Sequence, residues 1–205
     1  MKLRLLTAVF SLLAGASAAN ATLITFTDAN LASGNPVTVG GVTLTTTTVG
    51  GNISFISSGQ FAGLWLGGNN SSGSYTLSFS QAIDSIEIEF DALSSIGTPP
   101  VETLSGFATS NGPVTISFTA QFGTTFDGTT ITSTENDGQG IINFAGAAFN
   151  SFSFNHNQGA QSGFVIEHLV INTAGTSASV PEPASLGLLA AALLALGFER
   201  RRRAR

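Results

Sequence analysis

Glu87, Glu89 and Asp91 stand at alternate positions in the segment EIEFD. On a strand, positions i, i+2 and i+4 share one face, so three carboxylates line up opposite Ile86, Ile88 and Phe90. Carboxylates crowded together without a cation raise one another's pKa until something neutralises them. Three chemistries are open to such a row: a solvated outer face, a hard-cation site, or acid–base work by the outer pair. Calcium is the cation that suits these oxygens, and Asp127 and Asp137 offer more of them in Asp127-Gly128 and Glu135-Asn136-Asp137-Gly138. Neither loop has EF-hand spacing, and both sequences are ordinary turns. The solvated face is the favoured reading; calcium is the one cofactor in question.

Little else in the chain could react. There is no cysteine, which excludes thiol nucleophiles, disulfides and thiolate metal sites. The two histidines, His156 and His168, each alternate with apolar residues, as packed or hydrogen-bonded core histidines do. No G-x-S-x-G and no H-E-x-x-H occurs. Trp65, in GLWLG, reads as core or sheet edge rather than a sugar platform. No catalytic residue is assigned, and the chain is expected not to be an enzyme.

The charge map is more telling than the net charge of −5. All seven basic residues are terminal: Lys2, Arg4, Arg200, Arg201, Arg202, Arg203 and Arg205. All twelve acids lie between Arg4 and Arg200. An anionic body repels phosphate backbones, which excludes nucleic acid as a partner. Ion pairing inside it is limited to the two histidines. Unpaired carboxylates that repel one another should make stability fall as pH rises from the acid range.

The elements that must position these groups are strands. Period-2 alternation recurs from Thr22 to about Thr173, and no helical period is sustained. Tyr75, Leu77 and Phe79 share a face, as do Ile86, Ile88 and Phe90. Val114, Ile116, Phe118, Ala120 and Phe122 form the longest stripe. Further strands are expected at 22–27, 42–49, 52–57, 101–107, 129–134, 140–145, 149–155 and 164–172. Turn clusters such as Gly50-Gly51-Asn52 and Asn111-Gly112-Pro113 separate them. Some ten short strands predict an all-β, two-layer antiparallel sandwich filled mainly by Phe. Residues 22–173 make that domain, and 174–180 (AGTSASV) make a linker.

Both ends read as addresses. Lys2 and Arg4, the apolar run Leu5–Leu13 and the small residues Ala14–Ala21 follow the order of a secretory signal peptide. Residues 1–21 are expected to be removed by signal peptidase, with cleavage after Ala21. At the other end, Pro181-Glu182-Pro183 precedes an apolar stretch at about 184–198 and then the arginines. Fifteen residues of helix reach ~22 Å, short of a hydrocarbon core about 30 Å thick; snorkelling arginines and bilayer thinning close the gap. The arginines hold the C-terminus in the cytoplasm, which leaves the domain outside.

Pro-Glu-Pro, a short apolar helix and a terminal Arg cluster, in that order over residues 180–205, resemble a PEP-CTERM sorting tail. That resemblance implies an exported protein of a Gram-negative, exopolysaccharide-making bacterium. Its implied partner is an exosortase, which recognises Pro181, Glu182 and Pro183, with Arg200, Arg201, Arg202, Arg203 and Arg205 as the cytoplasmic stop. The protein is then held briefly in the inner membrane and passed to the cell surface or extracellular matrix, beside exopolysaccharide. Two smaller likenesses bear on the domain. The strand Gly163–Leu169 resembles the closing strand of jelly-roll domains, some similar to galactose-binding modules. EIEFD resembles the E-x-D-x-E strand of laminarinase-type glycosidases, with Glu for the middle Asp and Asp91 for the last Glu. Three functions are therefore carried forward: a structural surface or matrix protein, a carbohydrate- or calcium-binding module, and a laminarinase-like glycosidase.

Overall fold

The structure is a computed structural model that describes residues 21–68, 72–95, 101–158 and 163–175. The signal-peptide segment and the sorting tail lie outside the described residues. Ala21–Ala174 forms one compact unit. Its elements are β1 (Leu23–Phe26), α1 (Asp28–Leu31), β2 (Val37–Val39), β3 (Val42–Val49), β4 (Ile53–Ile56), β5 (Gly63–Leu66) and β6 (Gly73–Leu93). They continue with β7 (Thr103–Thr109), β8 (Gly112–Pro113), β9 (Ser117–Phe122), β10 (Thr124–Phe126), β11 (Thr130–Ser133), β12 (Gly138–Asn157) and β13 (Phe164–Thr173).

Every strand pairing is antiparallel. The all-β reading therefore holds, with α1 the single helix among the described residues. Its start is set by Thr27, whose hydroxyl accepts from the Asn30 N–H while the Asn30 side chain accepts from the Thr27 N–H.

The pairing departs from two separate sheets. All thirteen strands join one hydrogen-bonded network, because two long strands run through both halves of it. The first part of β6 pairs with β3, and its later part with β13. β12 follows β6 along its length, pairing with β9 near its start and β7 near its end. Tyr75, Leu77 and Phe79 are buried at odd positions, then Ile86, Ile88 and Phe90 at even ones. The parity changes where β12 bulges, between Ala145 and Ser151, with Gly146, Ala147 and Ala148 exposed. The bulge turns both strands so that each half presents its apolar side inward. The ring of Phe164 on β13 then lies 6.0 Å from Phe154 and 5.0 Å from His156 on β12.

Phe26, Phe90, Phe149, Phe152, Phe154 and Phe164 are fully buried. Each contributes about 1.5–3 kcal/mol of apolar burial, in a body with no Lys or Arg to pair. The expected stripe from Val114 to Phe122 is only partly apolar in its surroundings. Ile116 is buried, but β9 begins at Ser117 and Phe122 is 54 % exposed. Among the described residues β9 pairs with β12 alone, at a sheet edge.

Candidate functional site

The row of acids exists, and its members meet three different fates. Glu87 is exposed, Glu89 is half-buried and Asp91 is buried. Glu89 on β6 lies opposite His168 on β13, and its Oε2 stands 3.0 Å from His168 Nδ1. The pair is well exposed, which limits it to about 0–1 kcal/mol. Gln121 on β9 donates to the other Glu89 oxygen at 3.4 Å. Asp91 accepts from the Ala92 N–H and, at 3.0 Å, from Gln139 Nε2 on β12. Burial pushes its carboxyl up; those two hydrogen bonds draw it down, and the nearby Asp137 and Glu89 raise it further.

His168 was expected on an apolar stripe and is instead partly exposed. A register shift between Ile166 and His168 inserts Glu167 into β13 and turns the histidine outward. Glu167 thereby joins the same acidic face. Burial, then the charges of Asp91 and Glu89, raise its pKa, and His168 lowers it.

Asp127 and Asp137 are turn residues, and the charge of Asp137 reaches Asp91. Asp127 Oδ1 accepts from the N–H groups of Thr129 and Thr130 at 2.8 and 2.7 Å, which holds its carboxyl below the usual range. Asp137 is exposed at φ 54, the left-handed region that Asp tolerates in turns. Among the described residues, no three Asp, Glu or His side chains are placed to hold one metal ion.

An open cleft of about 490 Å³ lies at the Glu87 end of the row, lined by Leu23, Ser85, Glu87, Ser117, Asn143 and Val170 among others. Asp91 does not line it. Glu87 and Asp91, the outer pair of EIEFD, therefore do not both line this cleft, whereas the two carboxylates of a glycosidase flank one bond. Trp65 is half-buried on β5, its ring edge-on to Phe61 at 6.2 Å.

Sequence reasoning missed the most constrained polar group, Glu102. It is wholly buried, and Oε2 accepts from the Ser94 N–H at 2.8 Å and Oε1 from the Gly163 N–H at 3.3 Å. It ties the segment after β6 to the start of β13. Burial raises its pKa against those two hydrogen bonds. His156 Nε2 lies 3.9 Å from Oε1, beyond hydrogen-bond reach, and both ring nitrogens are buried without a partner. Burial lowers the pKa of His156 from 6.5 to about 4. Tyr75 closes the cluster, its hydroxyl donating to the Asn52 carbonyl and accepting from the Asn52 N–H, both at 3.2 Å. No sequence signal marked Glu102, because a lone acid before a strand looks like any solvated one.

The family model for the PEP-CTERM protein-sorting motif matches residues 179–203. The chain carries a PEP-CTERM sorting motif. The motif contains Pro181, Glu182 and Pro183 and reaches Arg203; these residues and Arg205 lie outside the described residues. It implies export, membrane-associated sorting and processing by an exosortase. No curated protein and no solved structure matches the chain. Among the described residues no helix is long and apolar enough to cross a membrane.

Proposed function

We propose that this is a non-enzymatic surface or extracellular-matrix protein, delivered by its tail and built to persist outside the cell. Signal peptidase removes residues 1–21, and the apolar stretch at 184–198 holds the chain in the inner membrane with the jelly-roll-like body outside. The exosortase then releases that body toward the surface and its exopolysaccharide. The PEP-CTERM motif at residues 179–203 carries this reading. The body supports it, since Asp91, Glu102 and Asp127 are occupied with the protein's own N–H groups.

The test is cell fractionation of the wild type beside Glu182→Ala. The wild type should reach the surface fraction without its tail, and the variant should be exported but stay in the membrane fraction unprocessed. Equal processing of both would remove Pro-Glu-Pro as the recognised element.

The cleft favours a second reading, a carbohydrate-binding module. Its lining offers hydroxyl, amide and carboxylate groups beside Leu23 and Val170, and no cation. Such a site would take neutral glycans and reject uronic acids. A glycan array with and without calcium distinguishes this reading: no bound glycan in either condition would remove it.

A further inference from the structure

The half of the sheet that holds the acidic face ends in two strands, β9 and β4, that each pair on one side only; β1, which also pairs on one side only, has β2 packed beside it. Its strand order runs β9, β12, β6, β13, β5, β4. Among the described residues β9 pairs with β12 alone and β4 with β5 alone. Each edge therefore presents a row of outward backbone N–H and C=O groups. Proteins commonly blunt such edges with lysine, proline or inward-pointing charge. Neither Ile53–Ile56 nor Ser117–Phe122 contains any charged residue or proline.

The opposite half of the sheet closes its edge. Beyond β2, the Asn35 side chain donates to the Thr46 carbonyl at 2.6 Å and accepts from the Thr46 N–H at 2.8 Å. An amide thus occupies the place of a neighbouring strand on β3. β10, at the other end of that half, is only three residues long. Among the described residues four large apolar side chains are exposed; Phe55 on β4, 38 % exposed, and Phe122 on β9, 54 % exposed, sit on these two end strands, and Leu23 and Val49 sit on β1 and β3.

We propose that β4 of one copy of this protein pairs with β9 of the next, so that copies add edge to edge into an open, head-to-tail array. The two edges differ and lie at opposite ends of one sheet. The contact is therefore heterologous, and nothing in it limits growth to a dimer. A phenylalanine on each strand adds aromatic contact across the new pairing. The bodies are anionic, so they repel one another at low ionic strength, and salt should strengthen assembly.

Sedimentation velocity on the exported protein recovered from cells tests this, with Phe55→Lys and Phe122→Lys as blocking variants. Both positions are exposed enough to accept lysine, and unchanged circular-dichroism melts confirm the fold. The wild type should form a series of species that lengthens with concentration and with salt. Each variant alone should lose every species above the monomer. Mixed one to one, the variants should form a dimer and nothing larger, because each supplies the edge that the other lacks. A wild type that is monomeric at all concentrations, or that stops at a dimer, would overturn the proposal. Amide hydrogen exchange on the wild type provides a check free of mutation: protection at Ile53–Ile56 and Ser117–Phe122 should rise together with concentration, and unchanged exchange there would also overturn it.

Discussion

His156 and Glu102 show how burial, more than repulsion, sets the acid–base behaviour of this domain. Mutual repulsion among carboxylates was the expected cause of raised pKa values. In Asp91, Glu102 and Glu167 burial comes first, and neighbouring charges add to it only in Asp91 and Glu167. The sign is unchanged: these groups hold protons in the folded state that the unfolded chain has released. Their contribution is complete below the ordinary carboxylate range and is lost as pH rises through their raised values. His156 runs the other way. Folding keeps it neutral down to about 4, so stability is lost as pH falls from 6.5 toward 4. That loss amounts to about 3 kcal/mol over the window. In chelator, thermal and denaturant melts should therefore show a flattened profile for the wild type between pH 4 and 6.5. His156→Phe should remove the opposing slope and leave a clear decline as pH rises. A stability difference between the two proteins that does not change with pH would contradict this account. Glu102→Gln should weaken the decline seen as pH rises and lower stability by about 1–3 kcal/mol, since one of its two backbone hydrogen bonds meets an amide N–H instead of an oxygen.

At the scale of elements, the long strands decide where everything sits. Period-2 alternation was enough to place β3, β11 and β13 and both halves of β6 and β12. It could not show that each pair of halves is one strand, because the bulge at Gly146–Ala148 breaks the alternation that would have joined them. β5 was missed for a related reason: GLWL is too short and too evenly apolar to alternate, and only tertiary packing makes it a strand. The acids on one face of β6 were legible from spacing, but their environments were not. Gln139 and Gln121 come from β12 and β9, and Glu167 comes from a register shift in β13. Glu102 depends on two backbone N–H groups from loops far apart in sequence. Close backbone packing around that cluster makes a further prediction. Gly67 sits at φ +91, and a Cβ there would lie 2.9 Å from both Gln158 Oε1 and His156 Cε1. Gly67→Ala should cost about 2–4 kcal/mol by combining left-handed strain with overpacking, read as a lower denaturant midpoint at unchanged m-value. A neutral substitution would mean that β5 and the His156 region are not packed as described. Gly34→Ala is the control: its φ of +134 is strained too, but nothing lies within 4 Å.

For the whole molecule, the separation of charge is the organising fact. Cationic residues occur only in the two terminal segments, and the body between them is anionic throughout. The body can therefore leave the membrane carrying no positive residue at all once both ends are removed. One consequence needs no folding: denaturant-unfolded mature protein should resist trypsin completely, because no Lys or Arg lies between Arg4 and Arg200. Tryptic cleavage near either end would mean that a terminus carrying Lys or Arg was left in place. The same property makes the central claim, delivery by a processed tail, directly measurable. Intact-mass and terminal-peptide mass spectrometry of the protein recovered from the cell surface should find a chain that begins near Thr22 and lacks the arginine cluster. A surface-exposed chain still ending at Arg205 would contradict sorting by the PEP-CTERM motif, whatever the β body does once it arrives.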